Sequence, residues 1–328
     1  MDLAIVIPAY KDQYLEATLL SITKQTNKNF KVYIGDDDSP NELYDIVQRF
    51  EDKLSLVYKK FDNNLGLKNL TSHWDRCVAM STNEKWIWLF SDDDIMDKDC
   101  VGQFYQALSV THSYYDLYRF NTKIIDNKGD LICFNPRHPQ FESIDQFITD
   151  KLSLKRSSYV TDYIFSKQKY TTTGGFISFP LGWSSDEATW FNFGYSKGIY
   201  TIDHPDVSWR YSFNNISALS KLGNEKIEAT LQYLTWLKHW INNHYPSDAS
   251  LGETYKKTRL KWLMHQVSLL KKTYNLMDIY RFSILFKRRL AVPFQISFLL
   301  FMSLNYNSWR SNFKSRLRNL VKFVYAKT

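Results

Sequence analysis

The sequence predicts an α/β fold: a mostly parallel sheet flanked by helices, followed by a C-terminal helical region. Three observations lead there. Short apolar runs alternate with segments of helical spacing through the N-terminal third. Two of those runs end abruptly in three consecutive carboxylates, Asp36-Asp37-Asp38 and Asp92-Asp93-Asp94. From about Ile216, Pro and Gly become rare and helical spacing dominates.

Leu3 to Ile7 is an apolar strand stopped by Pro8-Ala9-Tyr10. Asp12 is placed to cap a helix whose Leu15, Leu19 and Ile22 share one face. Lys31 to Gly35 is a second strand ending at the first triplet. Ser39-Pro40-Asn41-Glu42 has the form of a capping box. Leu54 to Lys60 alternates as a third strand, and Asn63-Asn64-Leu65-Gly66 is a turn into a helix carrying Leu67, Leu70, Trp74 and Cys77. Trp86 to Phe90 is a continuous apolar run, as suits a strand buried on both faces, and it ends in the second triplet. This β-α-β-α-β-α-β order implies parallel pairing. Parallel strands present their carboxyl ends to one edge, where open α/β sheets bind ligands.

Adjacent carboxylates repel one another unless a cation or hydrogen-bond donors neutralise them. Oxygen-only ligands suit Mg²⁺ or Mn²⁺, and Mg²⁺ sites commonly join one or two carboxylates to substrate phosphates. A solvated acidic loop has the same composition. Two triplets at the ends of neighbouring strands favour a metal–diphosphate cleft instead.

At this point Ile5-Val6-Ile7-Pro8-Ala9-Tyr10, Gly35-Asp36-Asp37-Asp38-Ser39-Pro40, Asn64-Leu65-Gly66 and Phe90-Ser91-Asp92-Asp93-Asp94 together resemble the successive motifs of glycosyltransferase family 2, enzymes of the GT-A fold. The resemblance implies a nucleotide-sugar donor, a UDP-sugar above all. It implies that Pro8, Ala9 and Tyr10 wrap the nucleoside and that Asp36 takes the base or ribose. Asp38, Asn64, Gly66 and Asp92 complete the donor site, and Asp93 and Asp94 hold Mn²⁺ or Mg²⁺. All three positions of the triplet are Asp, so which two of Asp92, Asp93 and Asp94 touch the metal stays open.

Further on, Leu117 to Ile125 and Leu131 to Phe134 read as a hairpin around Asn127-Lys128-Gly129. Residues 136–172 are polar, as acceptor-facing loops with some helix would be. Gly174 to Pro180 suggests another strand. Ser185 is a plausible N-cap that puts Asp186 and Glu187 in a first helical turn, where the dipole favours carboxylates. Acids at a helix start are common in any protein. The resemblance implies more: inverting members of the family carry their catalytic base on such an element, which identifies Asp186 as base and Glu187 as its support. Arg210 and His204, beyond a strand at Ile199 to Ile202, are candidates for phosphate oxygens or for ordinary surface pairing.

The 328 residues are 44% hydrophobic, enough for one large domain and a smaller one. The division falls at 1–215, a GT-A nucleotide-sugar domain, and 216–328, a basic helical region. Three widely spaced cysteines, Cys77, Cys100 and Cys133, give no disulfide framework and no CxxC pair. The N-terminus reads as a strand rather than a signal peptide, and no apolar run reaches the roughly 18 residues of a spanning helix. The expectation is a cytoplasmic, reducing setting.

Charge is uneven. Residues 250–328 hold 16 Lys/Arg against two acids, Glu253 and Asp278, whereas residues 1–249 hold 26 basic and 32 acidic side chains. A basic tail on an acidic body suggests a polyanionic partner. No nucleic-acid motif is present. Trp309, Phe313, Leu317, Leu320, Val321 and Val324 lie opposite Arg310, Lys314, Arg316, Arg318 and Lys322 on a predicted helix, the pattern of an anionic membrane surface. With the family resemblance, this implies a peripheral enzyme on the inner face of the cytoplasmic membrane. It would transfer a single sugar to a saccharide acceptor, polyprenyl-linked, in bacterial surface polysaccharide or lipopolysaccharide synthesis. The other reading is a non-catalytic nucleotide-sugar-binding or membrane scaffold protein of the same fold.

Overall fold

The computed structural model describes residues 1–212, 219–247, 249–269, 274–299 and 301–302. The chain divides into two compact units, Met1–Asn215 and Ile216–Thr328.

The first unit runs β1 (Leu3–Ala9), α1 (Leu15–Thr23), β2 (Phe30–Asp36), α2 (Leu43–Val47), β3 (Leu56–Lys60), α3 (Gly66–Val78), β4 (Trp86–Leu89), β5 (Ile95–Met96) and α4 (Cys100–Val110). It continues with β6 (Leu117–Ile125), β7 (Leu131–Phe134), β8 (Phe141–Glu142), α5 (Ile144–Leu152), β9 (Tyr163–Ser166), α6 (Lys167–Thr172), α7 (Ser185–Gly194) and β10 (Ile199–Arg210). The sheet order is β3-β2-β1-β4-β9-β6-β10-β5, with β7 on β6 and β8 on β10. Strands β3, β2, β1 and β4 are parallel. Strand β9 is antiparallel to both β4 and β6, so β6 runs with β4, and β10 pairs parallel with β6. The carboxyl ends of β1, β2, β4, β6 and β10 therefore share one edge.

The core explains why the central runs read as continuous apolar strands. Leu3, Ile5, Ile7, Ile34, Trp88 and Phe104 are essentially solvent-free. Trp88 stacks on Phe120 at 5.1 Å and donates its indole N–H to the Thr161 carbonyl at 2.8 Å. An aromatic ring with a satisfied polar tip can thus sit in the centre of the sheet.

Several local expectations are corrected. Ser39 does not cap a helix: its hydroxyl donates to the Tyr10 carbonyl at 2.8 Å and accepts from the Asn41 N–H at 3.1 Å, and α2 begins only at Leu43. Helix α1 starts at Leu15, with Asp12 contributing only its carbonyl to the Leu15 N–H. Residues 174–179 form no strand. The Ile177 and Phe179 N–H groups donate to the Thr189 and Ser185 hydroxyls at 3.0 and 2.9 Å, so side chains of α7 take the place of a partner strand. The polar stretch 136–172 holds β8, α5, β9 and α6, and β10 extends through a bulge between Ile202 and Val207.

The second unit contains α8 (Gly223–His244), α9 (Ala249–Leu269) and α10 (Leu276–Leu290). On α8 the stripe Ile227, Leu231, Leu234, Leu237 and Ile241 is buried. The Tyr255 hydroxyl donates to the Leu234 carbonyl at 2.8 Å, tying α9 to α8. The Asn275 side chain caps α10 by accepting from the Asp278 N–H at 2.7 Å, and Lys287, Arg288 and Arg289 sit in its last turn, where the dipole favours cations. Among the described residues, no helix is long and apolar enough to cross a membrane. The predicted amphipathic helix over 309–324 lies outside the described residues.

Candidate active site

The site is built where β1, β2 and β4 end. In register, Ala9 lies beside Asp36 and Val6 beside Leu89, so Tyr10, the first triplet and the second triplet emerge together. Backbone bonds knit them. The Tyr10 and Lys11 N–H groups both donate to Asp92 Oδ2, at 2.9 and 2.8 Å, and the Asp37 N–H donates to the Ala9 carbonyl at 2.9 Å. The end of β1 carrying Pro8 and Ala9, and Tyr10 after it, are thereby fixed to both triplets, while Tyr10 stays 44% exposed.

The first triplet divides its labour. Asp36 is fully buried; it accepts from the Ser39 N–H at 2.7 Å and the Tyr58 hydroxyl at 2.6 Å. Asp37, which sequence reading passed over, is also buried. It accepts from the Leu65 and Gly66 N–H groups at 2.9 and 2.7 Å and pairs with Arg76. Asn64 adds a bond to the Asp37 carbonyl at 2.9 Å. A Cβ on Gly66 would stand 2.8 Å from Asp37 Oδ2, so glycine lets the turn close on the carboxylate. His73 lies 3.4 Å from Asp37, and burial drives it down to about 4 against the pull of that carboxylate, with Arg76 adding repulsion. Asp38 is exposed at φ 55°, in the left-handed region.

The second triplet is sorted more sharply. Asp94 turns inward: Oδ1 accepts from the Arg210 N–H at 2.8 Å, its carbonyl accepts from the Thr18 hydroxyl at 2.8 Å, and Oδ2 is buried with no hydrogen-bond partner among the described residues. Burial and then the neighbouring Asp93 hold the Asp94 carboxyl well above the usual range. Asp92 and Asp93 instead share the ammonium of Lys11, which lies 3.4 Å from Asp92 Oδ1 and in direct contact with Asp93. Asp92 and Asp93 therefore face the same ammonium. Arg210 also binds backbone carbonyls. Its Nε–H donates to the Asp93 carbonyl at 2.8 Å and Nη1 to the Asp126 carbonyl at 2.9 Å, with the guanidinium 4.4 Å over the Tyr14 ring.

Among the described residues, no group of three His, Cys, Asp or Glu side chains forms a closed metal cage. The donor set nonetheless fits Mg²⁺ or Mn²⁺. It consists of carboxylate oxygens, it already attracts a cation, and such ions commonly take their remaining ligands from phosphate and water.

Asp186 lies in the first turn of α7. The turn before α7 is strained: Leu181 and Ser184 adopt φ 62° and Gly182 φ 65°, left-handed values that cost energy for residues with a Cβ. Ser184, not Ser185, is the N-cap residue, which leaves Asp186 and Glu187 in the first turn as expected. A Cβ on Gly182 would stand 3.0 Å from Leu70 on α3, so the turn is pressed against that helix. Burial, then the charge of Glu187, lifts the Asp186 carboxyl to about 7, with Lys151 opposing. Lys151 pairs with Glu187 at 2.6 Å. Asp162, buried and likewise lifted to about 7 by burial, accepts from the Thr122 hydroxyl at 2.7 Å and feels the charge of Asp186. The register Trp88–Ile164 and the Trp88–Thr161 bond put residues 160–162 beside the carboxyl end of β4. Asp186 is thus drawn toward the edge that carries the triplets.

A mixed, mostly parallel α/β sheet with carboxylate triplets at the carboxyl ends of β2 and β4, flanked by helices, has the GT-A architecture. Residues 4–152 match the model for "Glycosyl transferase family 2", and that segment is a domain of this family. The chain is 29% identical over 116 residues to chondroitin synthase of Pasteurella multocida, covering 31% of this chain and 12% of that protein. It is 26% identical over 133 residues to the poly(ribitol-phosphate) beta-N-acetylglucosaminyltransferase TarS of Staphylococcus aureus, covering 39% and 22%. The matches span less than a quarter of either relative. In structure it resembles S. aureus TarS 1–349 in complex with UDP-GlcNAc, with TM-score 0.57 and 15% identity over 95% of this chain and 92% of that one. A mannosyltransferase from Pyrobaculum calidifontis in complex with GDP-Man and Mn²⁺ gives 0.53 at 12% identity, over 93% and 87%. At such identity the likeness speaks for the fold.

Sequence reading did not single out Lys11, Asp37, Asp162 or Lys151 as site residues. Lys11 directly follows a motif, and Asp37 is the middle of a triplet. Asp162 and Lys151 sit in the stretch without clear periodicity, where no local signal marks them.

Proposed function

We propose that this protein is an inverting, metal-dependent glycosyltransferase that moves a single sugar from a nucleotide-sugar, a UDP-sugar, to a saccharide acceptor. The observation that carries the reading is the sheet edge where Asp92 and Asp93 already grip a cation; the Asp186 carboxyl, lifted to about 7, supports it. Breaking the sugar–phosphate bond builds negative charge on the departing diphosphate, which a bound divalent cation neutralises without proton transfer. Asp92 and Asp93 would hold that cation, and Tyr10 and Asp36 would hold the nucleoside. Asp186 accepts the proton of the attacking acceptor hydroxyl; a base is most effective when its pKa lies near the working pH. The two relatives named above are polysaccharide-type transferases by name, which supports a bacterial surface saccharide as acceptor. The basic C-terminal region supports a polyprenyl-linked acceptor reached at the inner face of the cytoplasmic membrane, with the enzyme peripheral there.

The test is release of nucleoside diphosphate from a panel of nucleotide sugars, with Mn²⁺ and with chelator, beside Asp93→Ala. The expected result is metal-dependent release from one UDP-sugar, lost in the variant. Binding of no nucleotide sugar at all would overturn the reading in favour of a scaffold.

A further inference from the structure

The second triplet already has a cation. Lys11 extends from the turn after β1, its side chain 26% exposed, and its ammonium touches Asp93 and lies 3.4 Å from Asp92, whose side chains are 7% and 6% exposed. Its backbone N–H also donates to Asp92 at 2.8 Å, so chain and side chain grip the same carboxylate. A divalent ion entering between Asp92 and Asp93 meets that ammonium. It must displace the ammonium from at least one carboxylate and leave two like charges a few ångströms apart, which is costly in a partly desolvated site.

We propose that Lys11 is the resident counter-ion of the aspartate triplet and makes metal binding conditional on the nucleotide donor. This rests on the donor reading above. A diphosphate brings the negative charge that the displaced ammonium needs, so metal and diphosphate bind together more tightly than either alone. The coupling is reciprocal, as linkage requires. Without Lys11, Asp92 keeps its backbone N–H donors but both carboxylates lose the ammonium, so the metal meets no competing cation between them.

The experiment is titration of Mn²⁺ into the full chain, with free Mn²⁺ followed by electron paramagnetic resonance, with and without UDP, for the wild type, Lys11→Met and Lys11→Arg. Lys11→Met is expected to bind Mn²⁺ alone at least ~10-fold tighter than the wild type, with a smaller gain from added UDP; coupling of this size is ordinary for linked sites. Lys11→Arg keeps the charge and behaves as the wild type does. Lys11→Gln reads the same difference should the methionine variant not fold. Equal affinity for Mn²⁺ alone in the wild type and the neutral variants overturns the proposal. The metal-alone comparison involves no nucleotide. A protein that binds no UDP in calorimetry, with or without metal, therefore defeats the donor reading while leaving this comparison legible.

Discussion

Asp186 owes its chemistry to where α7 begins. A carboxyl in the first turn of a helix would ordinarily ionise easily, but burial and the adjacent Glu187 outweigh the dipole and lift it to about 7. Replacing it by Asn keeps the shape and removes the proposed base. Asp186→Asn is expected to bind donor normally and to lose on the order of 10²–10⁴ in turnover, the usual contribution of a general base; near-normal turnover would remove Asp186 from the mechanism. The pH dependence has a definite sign. The base must be ionised, so kcat/KM falls about tenfold per unit as pH drops below about 7 and levels off above it. Asp162, lifted to the same range by burial, feels the charge of Asp186. A profile flat from pH 8 to pH 5 would refute the assignment.

At the level of elements, the site depends on how closely α3 approaches β2. Gly35 precedes the first triplet, and a Cβ there would overlap the sulfur of Cys77 on α3 and come within 3.0 Å of Phe61. Cys77 is fully buried, and burial pushes its thiol up, so it acts as packing rather than as a nucleophile. Gly35→Ala is expected to cost about 1–3 kcal/mol in urea unfolding, as overpacked cores do. Adding Cys77→Ala should recover part of that loss; strictly additive effects of the two changes would show that the contact does not govern the approach. The same helix presses Leu70 on the strained turn at Gly182, so α3 supports both the donor-side turn at Asn64–Gly66 and the turn that presents Asp186.

For the whole molecule, the charge asymmetry has a direct consequence. Sixteen basic residues against two acids in 250–328 make the C-terminal region cationic, while the rest of the chain is acidic. The full chain is expected to co-sediment with vesicles rich in phosphatidylglycerol and not with neutral phosphatidylcholine vesicles. Binding should weaken as salt rises, because each basic residue near an anionic surface adds on the order of 1 kcal/mol of screened attraction. Equal binding to both vesicle types would argue against electrostatic attachment.

The sequence by itself determined the alternation of strands and helices through β4, the hairpin of β6 and β7, the buried stripe of α8 and the two aspartate triplets. These are written in local periodicity and in adjacent residues, which a linear reading detects. It also put Asp186 in a first helical turn, although one position of the cap was off. What only the tertiary structure decided are the contacts between distant segments. Strand β9 inserts between β4 and β6, and Asp162 arrives beside Asp186 from a stretch without periodicity. Serine and threonine hydroxyls of α7 replace a strand partner for residues 177 and 179. Three identical aspartates acquire different roles because Arg210, more than a hundred positions away, takes Asp94, while Lys11 takes Asp92 and Asp93. Carboxylates of one type differ only through their surroundings, and the fold alone supplies those.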